Sequence, residues 1–134
     1  MNILFVCKWN RFRSKSAEAI FEKLNKNPEF KAKSGGLFPG VPVSEDIIKA
    51  GKNIGINISK NQQCLSHKLL MWSDYIIIVA DCVPKSIFKE VIKNDDKKVL
   101  HWKLKDVIGT DIKKREKIML QIEDRLKIFL KKHS

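Results

Sequence analysis

Cys7 and Arg13 stand at the two ends of a Cys-x5-Arg spacing, in the run Ile3-Leu4-Phe5-Val6-Cys7-Lys8-Trp9-Asn10-Arg11-Phe12-Arg13-Ser14. A cysteine thiolate is a strong nucleophile, and arginine offers a planar fork that holds two oxygens of one anion. Five intervening residues let the backbone curl round a tetrahedral oxyanion with successive N–H groups turned inward. A helix starting at the far end adds its dipole beneath. In that field negative charge on sulfur is favoured, so Cys7 is expected to be a nucleophile at neutral pH. Arg13 can hold two phosphoryl oxygens and follow their charge into a transition state, and the Ser14 hydroxyl can donate to the thiolate. Taken alone, a cysteine that closes an apolar strand is an ordinary buried residue. What gives the spacing meaning is its place at a strand-to-helix junction.

The elements that must position these residues follow from the pattern of apolar positions. Residues 2–6 read as a buried strand, and Ala17, Ile20, Phe21 and Leu24 recur at helical spacing until Asn25-Lys26-Asn27-Pro28. Phe30 and Ala32 alternate with lysines, which predicts a second strand running to Ser34 and breaking at Gly35-Gly36. Ser44, with Glu45 and Asp46, is expected to cap a helix carrying Ile47, Ile48 and Ile54, and a short helix spans about His67 to Trp72. Tyr75-Ile76-Ile77-Ile78-Val79 is continuously apolar, as a parallel strand covered on both faces must be. Pro84 suits a first helical turn, with Ile87, Phe88, Val91 and Ile92 as its inner stripe, and Lys98 to Trp102 supplies a fourth strand. Ile112, Met119, Ile122, Leu126 and Phe129 repeat every three or four residues or multiples of that, which predicts a long core-facing helix. Alternating β and α elements imply an α/β fold, a four-stranded parallel sheet with helices on both faces and the oxyanion loop after strand one. Ligands of such sheets bind at the carboxyl ends of strands, where Cys7 sits and where the loop after strand four brings Asp106.

Composition narrows the class. At 134 residues the chain is expected to form one domain, residues 1–134, with a real core. No apolar run approaches the length of a membrane span, and none resembles a signal peptide, so a cytoplasmic location is expected. The three cysteines, Cys7, Cys64 and Cys82, are read as reduced thiols, Cys64 and Cys82 as bystanders, one exposed or half-buried and the other packed at a strand end. Neither they nor His67, His101 and His133 show metal-ligand spacing, so neither a metal nor another cofactor is expected. The formal charge of +12 raises nucleic acid as a partner, but the lysines are spread through nearly every element without a nucleic-acid-binding motif. A solvated surface that steers acidic substrates inward is the favoured reading.

With the Cys7–Ser14 loop, Ser34-Gly35-Gly36, Ser73-Asp74-Tyr75 and Asp106 in hand, the chain resembles the low-molecular-weight protein tyrosine phosphatase family over nearly its whole length. The resemblance implies a flavodoxin-like sheet and hydrolysis of phosphomonoesters, on proteins or small molecules, through a phosphocysteine. It implies that Cys7 attacks phosphorus, Asn10 holds the shape of the loop, Arg13 clamps the phosphoryl group, Ser14 stabilises the thiolate and Asp106 protonates the leaving oxygen. Lys8, Trp9, Asn10, Arg11, Phe12 and Ser14 are then the phosphate-binding residues. Asp81, which also follows a strand, is the rival carboxylate, or else a helix cap before Pro84. The chain departs from the family pattern at Trp9, usually Gly, at Phe12, usually Cys or another small residue, and at Val107, usually Pro. Gly109-Thr110-Asp111 stands where aromatic residues usually wall a phosphotyrosine slot, and Phe38 with Trp9 can replace that wall. Arg11 occupies the loop position at which the related arginine and tyrosine phosphatases differ.

Two other functions compete. Thiol-linked arsenate reductases resemble the same family and relay a disulfide through further cysteines; Cys82 lies where such a relay begins, without a second cysteine nearby. Alternatively, the altered loop binds phosphate or a similar oxyanion without turnover. A phosphocysteine carrier of sugar transport would lack Arg13.

Overall fold

A computed structural model describes residues 1–90 and 97–134. The chain alternates β1 (Asn2–Cys7), α1 (Arg13–Leu24), β2 (Lys31–Gly36), α2 (Glu45–Asn53), α3 (His67–Trp72), β3 (Tyr75–Ile78), a 3₁₀ turn (Lys85–Phe88), β4 (Lys98–His101) and α4 (Ile112–Lys132). The four strands form one parallel sheet in the order β2-β1-β3-β4, so β1 is central and its carboxyl end opens at the middle of the sheet. Ile3, Leu4, Phe5 and Val6 are fully buried, as a strand covered on both faces requires. On one face Phe5 meets Phe21 of α1 at 6.3 Å between ring centroids and Trp102 at 6.5 Å, and Trp102 meets Phe129 of α4. On the other, Gly35 of β2 faces Leu65 and Leu69, the latter on α3. Among the described residues no helix is long and apolar enough to cross a membrane.

Caps fix where the helices start. The Asp111 carboxylate accepts the Lys114 N–H at 3.1 Å at the head of α4, and the Ser66 hydroxyl accepts the Leu69 N–H at 3.1 Å at the head of α3. Ser44 does occupy the N-cap position of α2, but its hydroxyl makes no capping bond. It donates instead to the Asp46 carboxylate and accepts from Arg11, because those charged partners compete with the backbone for it.

The structure corrects the sequence reading at three further points. β2 does not break at Gly35-Gly36 but pairs through Cys7↔Gly36, since glycine lets the oxyanion loop lie directly on the strand. Pro84 opens only a 3₁₀ turn; Phe88 is buried but Ile87 is about half exposed, because 3₁₀ winding moves it off the face an α-helix would have buried. Val91 and Ile92 lie outside the described residues. Cys82 is not packed at a strand end: it stands beyond the end of β3, exposed like Cys64.

Candidate active site

The site is built at the end of β1, where the chain leaves Cys7, turns through Lys8 to Phe12 and enters α1 at Arg13. Asn10 forces the turn. Its φ of 51° lies in the left-handed region that asparagine tolerates better than most side chains. Its side-chain amide donates to the hydroxyls of Ser14 and Ser34, both at 2.9 Å, and its carbonyl oxygen accepts the Gln63 N–H at 2.9 Å. Ser34 in turn donates to Glu18 at 2.5 Å, so a buried chain of donors ends on a carboxylate. Among the described residues no acceptor takes the backbone N–H groups of residues 8–12.

The loop approaches β2 so closely that a side chain at Gly36 would collide with it. A Cβ there would stand 2.6 Å from the Asn10 nitrogen and 2.7 Å from the Trp9 carbonyl carbon, both backbone atoms. Gly36→Ala is therefore expected to cost about 1–3 kcal/mol of stability and to weaken inhibition by inorganic phosphate, read by thermal melting and competition assay. Unchanged melting and phosphate inhibition would show that the loop has room to move.

Cys7 is buried, with its Sγ 2.9 Å from the Ser14 hydroxyl. That hydroxyl already accepts from Asn10, so its own proton is free to point at sulfur. Arg13 is buried beside it. Its Nη1 donates to the Leu104 carbonyl at 2.9 Å and to Asp81 at 3.2 Å, while Nη2 lies 3.7 Å from Asp106 Oδ2 and 3.8 Å from Cys82 Sγ. Asp81 thus pairs with Arg13 and does not cap the turn after Pro84, whose head carries no side-chain cap. Cys7, Trp9, Arg11, Phe12, Arg13 and Asp106 line one small cavity of about 10 Å³.

The remaining loop residues divide by where their side chains go. Arg11 lines the cavity, yet its guanidinium donates outward to the Pro42 carbonyl at 2.8 Å and to Ser44 at 3.1 Å, bracing the segment after β2. Lys8 does not line it; its Nζ lies over the Trp9 ring at 5.2 Å, and that ring packs against Phe38 at 5.7 Å. Trp9 and Phe38 open onto an adjoining groove of about 350 Å³ with Val41, Pro42 and Cys64. Phe12 turns into the core.

Phe12 meets there a residue that sequence reasoning passed over. Arg115 of α4 is the largest fully buried side chain, its guanidinium 4.5 Å from the centroid of the Phe12 ring. It donates to Asp46 at 2.9 Å and to the Gly109 carbonyl at 3.0 Å. Burial works to raise the Asp46 carboxyl, but the Ser44 hydroxyl and Arg115 outweigh it and hold it below the ordinary aspartate range. The signal was present: Ile112, Arg115, Met119, Ile122, Leu126 and Phe129 make a 3-4-3-4-3 stripe, which puts Arg115 on the apolar face. Gln63, Ser34 and Glu18, which hold Asn10, carry no comparable signal, because their contacts cross the fold.

An open parallel sheet with a cysteine, an arginine and unspent N–H groups in one cradle at the end of its central strand defines an α/β protein built to bind and attack a tetrahedral oxyanion. The model of the low molecular weight phosphotyrosine protein phosphatase family matches residues 2–133, and the chain belongs to that family of cysteine-dependent phosphatases. No curated protein matches it in sequence. Among solved structures it is similar to the low molecular weight protein tyrosine phosphatase from T. tengcongensis, with 26% identity, TM-score 0.82 and coverage of 98% of this chain and 99% of that one. The YwlE arginine phosphatase from Geobacillus stearothermophilus shares the fold at 23% identity, TM-score 0.82, covering 98% and 94%. An arsenate reductase from Archaeoglobus fulgidus is similar at 25% identity, TM-score 0.73, covering 95% and 97%.

Proposed function

We propose that residues 1–134 act as one catalytic domain that hydrolyses phosphomonoesters of the phosphotyrosine type through a phosphocysteine on Cys7. The carrying observation is the single cavity lined by Cys7, Arg13 and Asp106, with the Ser14 proton free for the sulfur. Cys7 Sγ attacks phosphorus; the S–P bond forms as the ester P–O bond breaks, and Asp106 gives its proton to the departing oxygen. Water then attacks the phosphocysteine, the Asp106 carboxylate takes its proton, and the P–S bond breaks to release phosphate and the thiolate. Arg13 and the N–H groups of residues 8–12 hold the phosphoryl oxygens throughout, with the α1 N-terminus beneath them. Arg11 serves by bracing the segment after β2 against the loop, and Trp9 with Phe38 offers aromatic surface to an aryl group. The charge of +12 steers acidic substrates, and a thiolate nucleophile suits a reducing compartment such as the cytoplasm.

Arsenate reduction is the second reading, favoured by one contact, Cys82 Sγ beside Arg13. A disulfide relay needs another thiol, and the third cysteine of the chain, Cys64, bridges to Gly36 on the far side of β2. With β1 and β2 between that bridge and the strand leading to Cys82, at about 4.8 Å per strand, the two are not placed to pair. Assayed side by side, wild type is expected to hydrolyse p-nitrophenyl phosphate and to show no thioredoxin-coupled reduction of arsenate. A rapid, Cys82-dependent yield of arsenite without phosphatase activity would reverse the assignment.

Arg13→Lys keeps the charge but not the fork, and a point charge cannot replace two parallel hydrogen bonds. A loss of about 10²-fold or more in kcat is expected. Near wild-type turnover with normal phosphate inhibition would remove Arg13 from the cradle.

A further inference from the structure

Asp106 has two oxygens in different surroundings. Oδ1 accepts the Val107 N–H at 2.8 Å and stands 3.8 Å from Arg115 Nη1. Oδ2 faces Arg13 Nη2 at 3.7 Å, on the side of the phosphate cavity. Arg115 Nη1 is buried and has no hydrogen-bond partner among the described residues, although Nε and Nη2 of the same guanidinium are used. Leaving such a donor unpaired is costly, so its persistence beside Asp106 calls for a reason. The guanidinium also reaches the loop that carries Asp106, through the Gly109 carbonyl, and the phosphate loop, through the Phe12 ring. One buried group therefore touches both halves of the site and is anchored to α2 by Asp46.

We propose that Arg115 is a positioning residue for proton donation: it holds Oδ1 of Asp106, so that Oδ2, the oxygen on the cavity side, carries the proton delivered to the leaving group. This rests on the reading of Asp106 as the proton donor. Both oxygens face a guanidinium, but Oδ1 also accepts the Val107 N–H, whereas Oδ2 accepts no hydrogen bond among the described residues. Oδ2 faces Arg13, which the phosphoryl oxygens engage, so a proton on Oδ2 can reach an ester oxygen held in the cradle. Arg115 also ties down the loop three residues beyond Asp106, by its bond to the Gly109 carbonyl. Arg115 does not line the cavity around Cys7, and its effect is confined to the step in which a proton moves.

The test compares phosphotyrosine, whose leaving oxygen needs a proton, with p-nitrophenyl phosphate, whose leaving group departs more readily as an anion. Arg115→Met alone would strand Asp46 as a buried charge, a loss that can unfold a small domain. The variant used is therefore Arg115→Met with Asp46→Asn, and Arg115→Lys, which keeps a cation for Asp46, provides a second. Both are expected to melt cooperatively, to lose kcat on phosphotyrosine by up to about 10²-fold with KM within a few-fold of wild type, and to lose much less on p-nitrophenyl phosphate. In an Asp106→Asn background the Arg115 change is expected to add no further selective loss, because the proton it places is gone. If Asp106→Asn is selective for phosphotyrosine but the folded Arg115 variants lose both substrates equally, or neither, Arg115 is only structural. If Asp106→Asn is itself unselective, the proton-donor reading fails, and the role proposed for Arg115 fails with it.

Discussion

Cys7→Ser is expected to remove hydrolysis of p-nitrophenyl phosphate while the protein melts as wild type does. The serine oxygen is smaller than sulfur and can keep the contact with the Ser14 hydroxyl, so β1 and its buried neighbours have no reason to rearrange. Its chemistry is different. A hydroxyl in that position stays protonated near neutral pH, and no histidine or carboxylate is described within hydrogen-bonding distance of Cys7 to act as its base, so the serine has no route to an alkoxide. Losses of nucleophiles that act as part of a unit commonly reach about 10⁴–10⁶-fold in kcat. Phosphate binding should survive, since the loop N–H groups and Arg13 are untouched, and competition with inorganic phosphate measured by isothermal titration checks that separately. Equal rates for the two proteins would sink the nucleophile assignment. Absence of turnover in both, with phosphate still bound, would leave a binding module.

Asp106→Asn carries the second large effect, and it depends on the substrate. Asparagine keeps the shape of the side chain and an oxygen that can accept the Val107 N–H, but it has no proton to give to a leaving group. Esters with poor leaving groups need that proton in the transition state, and a positioned acid typically contributes 10²–10⁴-fold. A loss of about that order is expected with phosphotyrosine, and a clearly smaller one with p-nitrophenyl phosphate, measured as kcat for each. Asp81 is the internal comparison. It also reaches Arg13, through Nη1 at 3.2 Å, but it does not line the cavity around Cys7. Asp81→Asn is expected to affect both esters alike by loosening Arg13; a selective loss on phosphotyrosine there would move the proton donor to the end of β3.

The parts of this site that could be read from the chain are those whose signal is local. The Cys7–Ser14 spacing, the apolar run of β3 and the stripe of α4 each lie within a few turns of sequence, and each element appears where its pattern placed it. What escaped was set by contacts between distant segments. Gly36 reads as a strand breaker because glycine usually is one, yet here it continues the ladder so that Trp9 and Asn10 can pack against it. Asp81 reads as a cap because it stands before Pro84, yet Arg13, far away in sequence, claims it. Arg115 reads as one more cation in Lys113-Lys114-Arg115-Glu116-Lys117, although its phase on the helix gives it to the core. Its partners, Asp46 and Phe12, come from two other elements, which no local pattern could supply.

The most direct measurement is to catch the covalent intermediate. Wild-type protein mixed with excess substrate and quenched during turnover should carry one phosphoryl group on the sulfur of Cys7, found by peptide mass mapping and by phosphorus NMR. The same treatment of Cys7→Ser should not show turnover through sulfur. Substrate made chiral at phosphorus should be released with overall retention, because two in-line displacements occur in succession. Steady turnover with inversion at phosphorus and no phosphoryl group on Cys7 would contradict nucleophilic catalysis at this cysteine.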